Sequence, residues 1–136
     1  MTWYPHVTVA AVVESEGRFL LVYENAEEGN VYNQPAGHLE QNETLLEAVV
    51  RETEEETGWV VEPTFLLGIR EYTSPANGIT YIRHSFIAQA KYEKENARLD
   101  EGIIKPVWMT YEEARQNASH LRSPLVLHDM QSYLSG

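Results

Sequence analysis

Residues 6–13 are almost wholly Val, Ala and Thr, the composition of a strand with little solvent contact. Ser15-Glu16-Gly17 interrupts the run, and residues 18–23 resume it, so the two segments read as a hairpin. Residues 24–33 are polar and read as a loop, and Gln34-Pro35-Ala36-Gly37 breaks any regular element. Residues 43–57 lack Gly and Pro and have helical apolar spacing; Gly58 stands where a C-terminal glycine cap belongs. Leu46, Val49, Val50, Thr53 and Thr57 share one arc and form the predicted core stripe.

Beyond this helix, residues 59–69 read as a strand, with Pro63 marking an edge or bulge. Residues 73–78 are turn-forming, and residues 80–92 are β-branched, aromatic and partly alternating, a further strand. A polar loop over 93–102 precedes a short strand at 103–109. Thr110 with Glu113 predicts a capping box and a short helix to about 117; Ser123-Pro124 opens a last helix to about 134. Strands, one long helix, more strands and then helices make a mixed α/β layer domain. No linker or repeat divides residues 1–136, so a single domain is expected.

Composition narrows the chemistry. Ten basic against 21 acidic residues leave a net charge of −11, a poor surface for a nucleic-acid backbone. There is no cysteine, which excludes thiolate nucleophiles and Cys-based zinc sites. No apolar run approaches a membrane span, and the first residues lack a signal-peptide pattern; a cytoplasmic chain is the expectation.

Eight of the 21 acidic residues fall between Glu40 and Glu62. On the helix, Glu52, Glu55 and Glu56 share one arc, whereas Glu54 points elsewhere, towards solvent. Three carboxylates at i, i+3 and i+4 repel one another. A hard divalent cation, Mg²⁺ or Mn²⁺, resolves that conflict through oxygen ligands. Gly37 admits close backbone approach just before the helix, and its carbonyl adds a fourth oxygen donor. Arg51 is placed to orient a carboxylate.

Gly37, Glu43 and Arg51-Glu52-Thr53-Glu54-Glu55-Glu56-Thr57-Gly58, at this spacing, resemble the signature box of the Nudix hydrolases. Thr53 and Trp59 stand where that pattern has apolar aliphatic residues. Pro5 to Ala10, Asn33 to Glu40 and Leu121 to Val126 resemble the NudJ-like subgroup within that family. The resemblance implies an α/β/α sandwich, a mixed sheet with the catalytic helix after a glycine-containing loop. It implies Mg²⁺ held by Glu52, Glu55, Glu56 and the Gly37 carbonyl, with Glu56 the principal ligand and Glu52 a ligand or general base. Glu43 and Arg51 would brace loop and helix. A further carboxylate from the loop before the last strand would serve as base or ligand; Asp100 and Glu101 are the candidates, and Glu101 is favoured.

The implied reaction is hydrolysis of a phosphoanhydride bond in a small nucleotide-like pyrophosphate, by a monomer or homodimer. Nucleoside di- and triphosphates and thiamine-type pyrophosphates are the expected substrates. ADP-ribose, dinucleoside or oxidised-nucleotide hydrolysis is the alternative, and a non-catalytic nucleotide-binding domain is the second. Candidate substrate contacts are Arg122 for phosphate or base, Tyr32 and Tyr4 for stacking, and His38 beside Gly37.

Overall fold

A computed structural model describes residues 2–27 and 29–136; Met1, and Glu28 of the polar stretch expected as a loop, lie outside the described residues. Among the described residues, seven strands and three α-helices follow in the order β1 His6–Ser15, β2 Arg18–Glu24, β3 Val31–Asn33, β4 Ala36–His38, α1 Leu45–Thr57, β5 Trp59–Thr73, β6 Thr80–Glu93, β7 Ile103–Thr110, α2 Tyr111–Gln116 and α3 Leu125–Ser135. A 3₁₀ turn, Ala118–His120, separates α2 from α3.

The β1–β2 hairpin pairs only at its tip, through Glu14 with Phe19 and Ser15 with Arg18. Below the tip the strands diverge: β1 runs parallel to β6, and β2 pairs with β7. The segment from Val31 to His38 fills the wedge, β3 lying antiparallel to β2 and β4 antiparallel to β1. Two short strands therefore lie in a stretch the sequence predicts to be irregular. Each is three residues long and exists because a diverging strand offers unpaired backbone groups. Gln34-Pro35 makes the turn between them, and the Pro35 carbonyl accepts from the Ala11 N–H at 2.9 Å.

The sheet is mixed, with order β3-β2-β1-β6-β5 along its main path. Val9, Ala11, Val13, Leu20, Val61, Phe86 and Ala88 pack with Ala48 and Val49 of α1 on one face. Val12, Phe19, Leu21 and Met109 pack with Ala114 of α2 and Val126 and Met130 of α3 on the other. This is the expected α/β/α sandwich.

Helix α1 begins two residues later than the pattern suggests. Thr44 accepts from the Glu47 N–H, and Glu47 accepts from the Thr44 N–H, a complete capping box. Glu43 is left outside the helix, with its side chain free to reach elsewhere. At the other end Gly58 is left-handed (φ 79°) and donates to the Glu54 carbonyl at 2.9 Å. The core stripe is rotated from the expected one. Leu46 is 54% exposed and Val50 half-buried, whereas Ala48, Val49, Thr53 and Thr57 are buried. The rotation turns Glu52 and Glu56 inwards, towards β4, at the expense of Leu46. Both departures from the family pattern are accommodated by packing. Thr53 donates its hydroxyl to the Val49 carbonyl (2.7 Å), and Trp59 meets Trp108 edge-on at 5.5 Å.

Candidate active site

The wedge between β1 and β2 delivers Ala36 and Gly37 to the inward side of α1. The Ala36 N–H donates to Glu56 Oε1 at 2.9 Å. A Cβ at Gly37 would overlap the Glu52 carboxylate, so any other residue there would push that carboxylate from its place. Glu52, Glu56 and Asp100 each bring a carboxylate oxygen within 4.8 Å of one another. Asp100 arrives from the 93–102 loop, which is fastened to α1 by its own N–H donating to the Glu55 carbonyl (2.9 Å). The sequence favoured Glu101. That residue is exposed and outside the cluster, because the loop's hydrogen bond to α1 selects Asp100.

Glu55 also stands apart from the expected ligand set, since the three-carboxylate cluster does not contain it. Its Oε1 accepts from Arg51 Nη1 at 2.9 Å. Arg51 is the hub of the site. It donates to Glu43 through Nε (2.6 Å) and Nη2 (3.1 Å), to Glu52 and Glu55 through Nη1, and to the His38 carbonyl at 3.0 Å. One guanidinium thus ties the Gly37 loop, the residue before the helix and two helix carboxylates together. Glu54 lies on another face, bound to Lys94 at 2.7 Å rather than standing free in solvent.

The cluster is electrostatically unsettled on its own. Burial pushes the Glu56 carboxyl up to about 8, against the Ala36 hydrogen bond, with Glu52, Glu24 and Asp100 adding to the rise. Burial likewise raises Glu52, where Arg51 pulls the other way and Glu55 and Asp100 add to the rise. Asp100 is raised by burial and by Glu55. Three carboxylates crowded together, two half-buried and one exposed, with Arg51 countering Glu52, beside a backbone without a Cβ, fit a divalent cation.

Of the expected substrate contacts, Arg122 is linked to this cluster through Glu24. Its Nη1 donates to Glu24 Oε2 at 2.8 Å, and Glu24 acts electrostatically on Glu56. Glu24 was not anticipated; it ends an apolar strand at a register shift, where a half-buried carboxylate needs a partner. Tyr32 packs on Tyr23 at 4.8 Å between ring centres, and its carbonyl accepts from the Arg122 N–H at 2.8 Å. His38 is exposed, with Nε2 3.2 Å from His6 Nδ1. Tyr4 is 71% exposed and lines a surface hollow with Trp3, His6 and Gly78, and His6 in turn meets His38.

A second polar group was also missed. Gln34, Ser85 and Asp129 are buried, and Arg83 nearly so, on the face opposite α1. Asp129 Oδ2 accepts from Ser85 (2.6 Å), Gln34 (3.1 Å) and Arg83 (3.4 Å). The available signal was Asp129 itself, which sits among Val126 and Met130 on the apolar side of α3 and so requires buried donors.

A carboxylate cluster that could hold a metal ion, beside a glycine loop on an α/β/α sandwich, is the arrangement the sequence motif implies, and comparison with known proteins names the class. The chain belongs to the Nudix family: the NUDIX domain model matches residues 4–128. It is 41% identical over 132 residues to Phosphatase NudJ of Escherichia coli strain K12, covering 97% of this chain and 85% of the relative. The same figures hold for Phosphatase NudJ of Shigella flexneri. A solved structure of a NUDIX hydrolase from Nitrosomonas europaea superposes with a TM-score of 0.95 at 40% identity, covering 98% of this chain and 90% of that one. The chain is a Nudix hydrolase acting on pyrophosphate bonds of small substrates. No helix among the described residues is long and apolar enough to cross a membrane.

Proposed function

We propose that the enzyme hydrolyses nucleoside di- and triphosphates and thiamine-type pyrophosphates in a Mg²⁺-dependent reaction that releases inorganic phosphate. The observation that carries this reading is the convergence of Glu52, Glu56 and Asp100 within 4.8 Å beside Gly37. Glu52, Glu56 and the Gly37 carbonyl would hold the cation, and Glu55 is engaged by Arg51. When bound, Mg²⁺ withdraws charge from the phosphoryl oxygens and lowers the pKa of a coordinated water. Asp100, the exposed member of the cluster, takes the proton of the attacking water. Arg51 holds Glu52 and Glu55 in place, and so positions charge rather than reacting. Arg122, paired with Glu24 and half-exposed, turns to a substrate phosphate. The name of the 41% identical relatives, a phosphatase, favours phosphate over pyrophosphate as product.

Phosphate release from UDP, CTP and thiamine diphosphate, with and without Mg²⁺, tests the reading. Glu56→Gln is expected to lower kcat by at least about 10²-fold, since a lost ligand removes several kcal/mol of charge stabilisation. Wild-type turnover by that variant at saturating Mg²⁺ would move the metal elsewhere.

A further inference from the structure

Among the described residues, one buried side-chain nitrogen or oxygen lacks a hydrogen-bond partner: Nε of Arg83. A guanidinium N–H left bare in the interior is costly, and native structures keep such groups for a reason. Its surroundings are not those of a misplaced side chain. Arg83 Nη2 is held by Gln34 Oε1 and Asp129 Oδ2, and Asp129 is itself fixed by Ser85 and Gln34. The guanidinium is anchored on one side and unmet at Nε, with 12% of the side chain reaching solvent.

Its place in the sheet links it to the hydrolytic centre. Thr8 pairs with His38 on one edge and with Arg83 on the other, so the three form one row with their side chains on the same face. At about 4.8 Å between strands, the Arg83 backbone is roughly 10 Å from that of His38, which follows Gly37. That is about the reach from a nucleotide's phosphates to the far edge of its base. The ring of Tyr81, 6.1 Å from that of His38, lies beside the row.

We propose that Arg83 is a substrate-binding residue whose free N–H donates to a ring carbonyl or ring nitrogen of the heterocycle that the pyrophosphate carries. A neutral acceptor suits it better than a second phosphate, because Asp129 already matches the charge of Arg83. Gln34 and Asp129 are positioning residues. This assignment rests on the reading that the phosphates lie at Glu52, Glu56 and Asp100.

The test compares UDP, whose base offers two carbonyls, with ring-free inorganic tripolyphosphate, followed as substrate and as competitive inhibitor of UDP hydrolysis. In Arg83→Lys the preference for UDP over tripolyphosphate falls about tenfold, and by no less than about threefold, through KM rather than kcat. A smaller change, or parallel losses on both compounds with a lowered Tm, makes Arg83 a structural residue and overturns the assignment. Independently of folding in the variant, the Arg83 Nε–Hε NMR signal of the wild-type protein shifts on adding uridine monophosphate and stays put with inorganic phosphate. An unmoved signal with uridine monophosphate also overturns it. A wild-type protein inert on both UDP and tripolyphosphate removes the pyrophosphatase reading and the subsite together.

Discussion

Arg51 Nε donates to Glu43 Oε2 at 2.6 Å, joining a residue just outside the helix to one nearly two turns inside it. The bond exists because Thr44, not Glu43, caps α1. The other guanidinium nitrogens reach Glu52, Glu55 and the His38 carbonyl. Arg51 is held well above its ordinary range, first by the Glu43 hydrogen bond, and Glu43 is lowered in return. A lysine has one point charge and no fork, so it cannot hold these groups together. Arg51→Lys is therefore expected to lower kcat at least about tenfold at unchanged protein charge. Steady-state kinetics with Tm as control checks this; unaltered kcat would show that the carboxylates need no brace.

The raised Glu56 carboxyl sets a pH dependence whose sign follows from linkage. Its ordinary value is 4.5, and in the folded, metal-free chain it stands at about 8. Between those values the folded chain holds a proton that the unfolded chain has lost, so stability falls as pH rises across that window. Below it both states are protonated, and above it both are ionised. The Tm of the metal-free protein should therefore drop from about pH 4.5 to about pH 8. Glu24, Glu52 and Asp100, also raised, contribute slope of the same sign. Glu56→Gln should flatten the curve, and Mg²⁺ binding below pH 8 should release protons, measurable by calorimetry in two buffers. An unchanged slope in the variant would place the proton on another group.

Glu52 and Glu54 are two residues apart and face different surroundings. Glu54 forms an exposed pair with Lys94, a contact of small energetic weight. Glu54→Gln should change kcat/KM by less than about twofold, as surface substitutions do. Glu52→Gln removes a carboxylate from the cluster and should cost at least about 10²-fold. Equal losses in a side-by-side assay would defeat the assignment of the two helix faces.

The helix and its loop were legible because their constraints are local. Gly37, Glu43, Arg51 and the glutamates stand at fixed spacings, and Gly58 ends the helix by its backbone geometry. The remainder depends on distant partners. β3 and β4 form only because β1 and β2 diverge, which no three-residue window announces. Asp100 and Glu101 are adjacent, and a hydrogen bond from the loop to Glu55 decides between them. The Gln34–Asp129 contact spans 95 positions. Leu46 has the periodicity of a core residue but yields its place when α1 turns its carboxylates inwards.

Substrate breadth follows from what the molecule offers to the group beyond the phosphates. In the proposed reading the carboxylate cluster would grip the pyrophosphate, which every proposed substrate shares. In the proposed complex Tyr32, which also packs on Tyr23, and the edge-on His38–Tyr81 pair would stack on a ring of any kind, and stacking is worth about 1–3 kcal/mol per base with little regard for its identity. Strong discrimination needs several buried polar groups left unpaired by the wrong ligand. Here Gln34 and Ser85 are already paired with Asp129, and among the described residues only Arg83 Nε is buried without a partner. One hydrogen bond to a charged donor is worth about 1.5–3 kcal/mol, which limits selectivity between rings to about two decades. A panel of purine and pyrimidine di- and triphosphates with thiamine diphosphate should therefore show kcat/KM values within about 10²-fold of one another. Preference should lean towards rings bearing a carbonyl. If a single compound exceeds the rest by about four decades, the site holds a recognition element that these side chains do not provide; were that compound ADP-ribose or an oxidised purine nucleotide, the alternative substrate class would replace the one proposed.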